Sequence, residues 1–401
     1  MTVLRSGTLA GGRCVDVTTA GGRIVSVEPA TGVVEGDEID LGGRLLLPSM
    51  GEPHAHLDKA FTADLVPNPQ GDLDGAVEAI LAAWPTISVE NIVERGERAV
   101  RRLVASGTTA IRSHADVTPE GEQKSVIALA EVKARTAHLC DLELVALTMP
   151  LSGVDGALGR RRLVQALEGG VDVVGACPHL DEDPLEAIDN ALDAAVDAGT
   201  RVDLHFDEVL DVSVQHLPEL ARRVEARGLG GKVVASHCVS HGLLSPDRQR
   251  EVGRLLADAG VAVVANPRTN LFLQSRGIEA ATPRGLAGVR ALLESGVVVA
   301  AGADNVQDPF YVIGRSDPLE TAALLVSVAH LTVDEAWTLV SSAVREVMGL
   351  EGVAVEVGAP ADLIAASGAS IREVIADQPA DRMVFRRGEL VSRTSVETWV
   401  A

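Results

Sequence analysis

Aromatic residues are almost missing from this chain: five Phe, three Trp and one Tyr occur among 401 residues. A core without large rings has to be assembled from Val, Leu, Ala and Ile, and apolar residues make up 46% of the sequence. Cysteine is scarce as well, and Cys14, Cys140, Cys177 and Cys238 are scattered with no pair at metal-ligand spacing. That excludes a disulfide framework and suits a reducing compartment. Positive charge is the third shortage. Lys and Arg total 35 against 57 Asp and Glu, a formal charge of −22, and such a field repels nucleic acid and anionic membranes. Long hydrophobic runs are lacking too. The N-terminus, MTVLRSGTLAGGRC, has no apolar signal-peptide core, and no stretch is apolar for long enough to span a bilayer. The expected location is cytoplasmic, and the expected partner is a neutral or cationic small molecule, with no nucleic acid and no membrane. The sequence leaves a homo-oligomer open.

What is present is a long alternation. Residues 1–49 hold short β-runs broken by Gly-Gly and acidic turns, and residues 349–401 have the same texture. The two ends are expected to meet in one small β-sandwich domain. Between them, residues 50–348 alternate short Val/Ala/Ile strands with helical periodicity. The strands read as LLLPSMGEPHAH, TTAIRSHADV, LELVALTMP, VDVVGACPH, RVDLHFDE, KVVASHC, VAVVANP and VVVAAGADN. Intervening runs such as PLEAIDNALDAAVDAG and DRQREVGRLLADAG end in Gly, a common helix C-cap. Eight strands alternating with helices predict an α/β fold, a (β/α)8 TIM barrel. The open doubly wound sheet lacks support, because no Gly-rich phosphate loop follows the first strand.

Barrel enzymes keep their chemistry at the C-terminal ends of the strands. His54 and His56 end the first strand, His114 the second, His179 the fourth, His205 and Glu208 the fifth, His237 the sixth and Asp304 the eighth. Random placement would not produce this. Side chains two apart on a strand point the same way, so His54 and His56 can both aim into the mouth. His205 and Asp304 would complete a set of nitrogen and oxygen ligands suited to a catalytic divalent metal with one position open to water. One such histidine alone reads as a hydrogen-bonded core residue; four groups converging from strands one, five and eight do not.

The stretches EPHAHLDKA, RSHADV, VVGACPH, LHFDE, ASHCVSH, VVANPRTNLFLQSR and GADNVQDPFY, in this order and spacing, resemble the amidohydrolase superfamily, and within it the cytosine deaminase branch. VGAPADLIA resembles the strand by which that superfamily rejoins its small β-domain, so the similarity covers essentially the whole chain. The resemblance implies one divalent metal ion, zinc or iron, on His54, His56, His205 and Asp304. It also implies Glu208 as proton shuttle, His237 as the holder of the hydrolytic water, and Asp304 as the acceptor of that water's proton. Other members bridge two metals with a carbamylated lysine on strand four; the lysines here are Lys59, Lys124, Lys133 and Lys232, none of them on that strand. The activity implied is hydrolytic deamination of an amino-substituted nitrogen heterocycle, with activated water attacking the ring carbon and ammonia leaving. Two alternatives stand beside it. One is the same centre hydrolysing an N-alkylamino-triazine or a cyclic amide. The other is an inactive binding or scaffold relative, which would usually have lost a metal ligand or the shuttle acid.

Met149, Leu151, His179, Asn305 and Phe310, in loops after the third, fourth and eighth strands, are the expected substrate contacts. Cytosine deaminases of the branch carry Phe, Pro and Gln after strand three; TMPLSG puts Met149 and Leu151 there. Leu151 cannot hydrogen-bond a pyrimidine edge, Asn305 replaces an acid and Phe310 a tryptophan, and these departures argue against cytosine itself. Arg268, in NPRTN, reads either as a solvated loop residue or as a contact to a substrate carbonyl or carboxylate. Lys59 either reaches the site or pairs with a nearby acid. His114 and His179 read as support for the metal site, substrate contacts or packing. His138, His216 and His330, in or beside predicted helices, read as structural or surface residues, and Cys177 as core. Cys238 adjoins His237 but points to the opposite strand face, which argues against a dyad.

Overall fold

The computed structural model describes residues 1–400. Five strands open the chain: β1 (Thr2–Thr8), β2 (Cys14–Ala20), β3 (Arg23–Pro29), β4 (Ile39–Asp40) and β5 (Leu45–Pro48). Eight follow in the middle: β6 (Met50–Ala55), β7 (Thr108–Val117), β8 (Asp141–Thr148), β9 (Val173–Ala176), β10 (Arg201–Phe206), β11 (Val233–His237), β12 (Val261–Ala265) and β13 (Val299–Ala301). Three close the chain: β14 (Leu363–Ala366), β15 (Arg382–Arg386) and β16 (Glu389–Thr394).

β6 to β13 pair in sequence order, each parallel to the next. A parallel bridge from Ala55 to Asp304 joins the last strand to the first. These strands are covered on both faces, which is why they read as unbroken Val, Ala and Leu runs without strict alternation. The result is the expected (β/α)8 barrel. The chain ends form a second sheet, in the order β16-β15-β14-β5-β1-β2-β3, with β4 on β1. Its seam is the antiparallel pairing of β5 with β14, Leu47 opposite Ile364. Leu4, Val15 and Leu46 from the first end share one buried core with Leu363, Met383 and Phe385 from the last.

The run LLLPSMGEPHAH, expected as one strand, serves both sheets. Pro48 ends β5, Ser49 donates to the Asp362 carbonyl at 3.0 Å, and Met50 donates to the Gly107 carbonyl at 3.0 Å. One extended segment therefore leaves the end sheet and enters the barrel without a loop.

Helices alternate with the strands as expected: α1 (Leu73–Ala83) and α2 (Val89–Ala105) after β6, α3 (Lys124–Thr136), α4 (Gly156–Glu168), α5 (Pro184–Ala198), α6 (Leu217–Arg227), α7 (Pro246–Ala259), and then α8 (Pro267–Leu273) directly off β12. α1, α2 and α5 start on side-chain caps: Asp72 accepts from the Gly75 N–H, Ser88 from that of Asn91, and Asp183 from those of Leu185 and Glu186. α5 and α7 stop at Gly199 and Gly260, whose φ values of 66° and 67° are left-handed and cost a glycine nothing. α1 was not among the expected helices. Its stripe of Leu73, Val77, Ile80 and Leu81 is diluted by four alanines and Gly75.

Candidate active site

Residues two apart on a barrel strand share its inner face, and this builds the site in layers. The lower layer holds Glu52 of β6, Arg112 of β7 and Asp203 of β10. The fully buried Arg112 donates to Asp203 at 2.8 Å and to Glu143 at 2.6 Å, and Ser236 donates to Asp203 at 2.7 Å. The Glu52 carboxyl accepts the Ala303 N–H at 2.9 Å and the His54 N–H at 3.3 Å. It therefore fastens β6 to the segment after β13. Burial pushes this carboxyl up to about 8 despite those bonds.

Two residues further along the same strands come His54, His114 and His205. The Nε2 atoms of His54 and His56 each lie 3.1 Å from Nε2 of His205. Asp304 Oδ1 lies 3.3 Å from His56 Nε2 and 3.8 Å from His54 Nε2. A tetrahedron with bonds of about 2.1 Å has edges of about 3.4 Å, and these four contacts lie near that length. Sets whose ligand atoms all lie within 4.8 Å of one another include His54 with His114 and His205, and His54 with His237 and Asp304. Other observations fit a divalent cation there. Burial, then the neighbouring positive groups, holds all three imidazoles well below their usual pKa, leaving them neutral with lone pairs to give. Burial also pushes Asp304 up to about 8, so its carboxylate needs a nearby cation to stay ionised. Asp304 Oδ1 has no hydrogen-bond partner although buried. His114 belongs to the same cluster: its ring centroid lies 4.0 Å from that of His54, and neither of its nitrogens has a partner.

His237 ends β11 with its Nδ1 3.0 Å from the Glu208 carboxylate and its Nε2 4.0 Å from Asp304. Burial works against its charge, but Glu208 and Asp304 outweigh it and raise His237 to about 9. Asn270, on α8, donates to Glu208 Oε1 at 2.8 Å and lies 3.2 Å from His237 Nδ1, while Asn266 lies 3.3 Å from His237 Nε2. These asparagines bracket Arg268 in NPRTN; an asparagine beside a proline is common in any turn, so only the fold singles them out. His237 and Asp304 both have left-handed backbones, φ 73° and 68°. Non-glycine residues are held there only where the surroundings over-determine them.

Above these groups lies a cavity of about 50 Å³ that opens toward solvent. His56, His205, Glu208, His237 and Asp304 line one end of it. Of the expected substrate contacts, Met149, Asn305 and Phe310 are in the wall. Leu151 and His179 are not. Leu151 is buried behind the wall, its N–H given to Asp181 at 2.9 Å and its carbonyl taken by Asn190 at 2.8 Å. His179 turns its ring against Cys177, Nδ1 3.6 Å from Sγ, and Cys177 and Leu180 form the wall instead. The Asn305 amide is committed at both ends, donating to Asp308 at 2.9 Å and accepting from Thr269 at 3.0 Å. Arg268 takes neither expected role: it pairs with Glu320 at 2.8 Å and donates to the Tyr311 hydroxyl at 3.0 Å. Lys59 does both things asked of it, lining the cavity while paired with Asp116, which also accepts from Trp84 Nε1 at 3.2 Å.

The amidohydrolase family's sequence profile matches residues 69–401. Pterin deaminase of Rhizobium rhizogenes is 31% identical over 374 residues, 91% of this chain and 84% of that protein. N-isopropylammelide isopropyl amidohydrolase of Pseudomonas sp. is 26% identical over 373 residues, 90% of this chain and 89% of that protein. Among solved structures, 5-methylcytosine deaminase from Klebsiella pneumoniae, liganded with phosphonocytosine, matches with a TM-score of 0.92 at 26% identity over 100% of both chains. No helix among the described residues is long and apolar enough to cross a membrane.

Proposed function

Because the chain belongs to the amidohydrolase family and is a hydrolase acting on C–N bonds, we propose that it deaminates an amino-substituted nitrogen heterocycle, using one divalent metal ion held by His54, His56, His205 and Asp304. The observation that carries this reading is the meeting of Glu208 and His237, 3.0 Å apart, at the edge of the four-donor cluster and in the wall of the same cavity. When bound, a divalent ion lowers the pKa of its water to about 7, which supplies a nucleophile at neutral pH.

The chain's own groups do the rest. Asp304 takes the proton of the attacking water. His237, favoured in its charged form by Glu208 and Asp304, donates to the nucleophilic oxygen and offsets the charge that builds on it. Glu208 passes the first of the water's protons, taken up by way of Asp304, to the ring nitrogen. As the C–N bond breaks and the C=O forms, it passes the second, from the added hydroxyl, to the amine, so that ammonia departs instead of amide ion. Asn270 fixes the Glu208 carboxylate for both transfers. Cys177, not lysine, follows β9, which favours one metal over a carbamate-bridged pair. Imidazole and carboxylate ligands suit zinc and iron alike. The pterin and methylcytosine deaminases matched above support a cyclic amidine as substrate, while Met149 and the committed Asn305 disfavour cytosine.

The test is ammonia release from aminopyrimidines, aminotriazines, aminopterins and creatinine-like rings, on protein loaded separately with zinc and with iron. Ammonia from at least one ring is expected. An alkylamine or a new carboxylate as the sole product would assign the centre to N-alkylamine or cyclic amide hydrolysis. An empty site by metal analysis, with no turnover, would make the chain a binding protein.

A further inference from the structure

Building on the deaminase reading, we propose that the substrate's ring carries an alkyl or aryl substituent, and that helix α1 is the surface that binds it. α1 stands between β6 and α2 and presents Leu73, Val77, Ile80 and Leu81 to the cavity. Their spacing of four, seven and eight residues is one helical stripe. Ile80 is buried, but Leu73, Val77 and Leu81 remain half-buried on the cavity side. Met149 and Phe310 continue the apolar wall.

The polar side chains near this end are already satisfied by protein. Asn305 donates its amide to Asp308 and accepts from the Thr269 hydroxyl, and Lys59 is paired with Asp116. A ring whose far edge bore only nitrogens and carbonyls would find few partners there and would lose its water, which is costly for polar groups. An alkyl or aryl group loses nothing and removes the apolar stripe from water.

The experiment compares aminopyrimidine, aminotriazine and pterin rings with their butyl- or phenyl-substituted forms on the metal-loaded enzyme, following ammonia. The substituted form is expected to have a kcat/KM at least ten-fold higher, mainly through KM. Val77→Asn and Leu73→Asn, at half-buried positions the fold tolerates, should collapse that ratio toward one while metal content and far-UV circular dichroism stay as in the wild type. Calorimetry with the deaminated products should show the butyl form binding at least ten-fold tighter, with a more negative heat-capacity change. Equal kcat/KM for parent and substituted rings, a ratio indifferent to both variants, or release of an alkylamine in place of ammonia overturns the inference. The two failures are separable. Equal product binding removes the apolar end of the site; tight binding of the butyl product with no ammonia from any ring places the fault in the deamination.

Discussion

A carboxylate that both takes and gives a proton has to be held in place, and Glu208 is. It sits at the edge of the cluster with Asn270 on one oxygen and His237 3.0 Å away. Glu208→Gln keeps the size and the Asn270 contact but cannot shuttle protons. It should retain a full complement of metal by elemental analysis while kcat falls by about 10² to 10⁴. His54→Ala should do the reverse at the first step, losing the metal itself, and turnover should vanish with metal content. The histidines, Glu208 and Asp304 were legible in the sequence because strand periodicity and strand ends both select them. Asn270 and Glu52 were not, since their roles depend on partners 62 and 251 residues away; for Lys59 both roles were offered, but not Asp116, 57 residues on, as the acid. Leu151 and His179 failed for a related reason. Proximity in sequence to a strand end does not say which way a loop residue turns, and both face their own loops instead of the cavity.

Among the elements, the barrel strands and most helices were readable because burial on both faces, capping residues and terminal glycines all point one way. α1 was not readable, although it forms one wall of the cavity, because four alanines and a glycine among its eleven residues dilute its stripe of larger apolar side chains. α4 shows how closely an element can fix the loop that carries a site residue. A Cβ at Gly159 would lie 1.7 Å from the Pro150 carbonyl oxygen, next to Met149. Gly159→Ala should therefore displace that loop, costing about 1–3 kcal/mol in denaturant unfolding and raising KM more than it lowers kcat. In the end sheet, Asp16 of β2 accepts the Ser6 N–H at 2.9 Å, the Thr31 N–H at 3.0 Å and Arg5 Nη1 at 2.8 Å. Burial opposes the charge, but these donors win and lower the carboxyl from 3.8 to about 2. A depressed carboxyl stabilises the fold above its unfolded pKa, and that stability is lost as pH falls through the folded one. Asp16→Asn should accordingly lower the melting temperature at pH 7, and the gap from wild type should close between about pH 4 and pH 2.

For the whole molecule, the expectation that both chain ends meet in one sheet rested on their shared texture of short β-runs and Gly turns. Nothing in that texture tells how the sheet is tied to the barrel. The ties are buried ions. Arg382 of β15 forks onto Asp317 at 2.8 and 2.9 Å and donates to the Ser106 carbonyl at 2.6 Å, next to the end of α2. Asp362, just before β14, accepts from Arg386 at 2.6 Å, from the Arg387 N–H at 2.7 Å and from Arg345, in the helical segment Ser342–Val347. Arg386 also reaches Asp141, the first residue of β8. Asp362 is fully buried and two guanidinium groups converge on it. Asp362→Ala would leave Arg345 and Arg386 side by side with only the half-buried Asp141 to balance them. An unpaired buried charge of this kind costs about 3–5 kcal/mol, far more than losing an exposed pair. Because the same carboxylate serves both sheets, the loss should not fall on the end sheet alone. Far-UV circular dichroism and release of bound metal should report one shared transition in the wild type, moved as a whole to lower denaturant in Asp362→Ala. Early melting of the end sheet, with metal still held at the barrel mouth, would mean that the pairing of β5 with β14 and the Arg382 fork, not Asp362, carry the coupling.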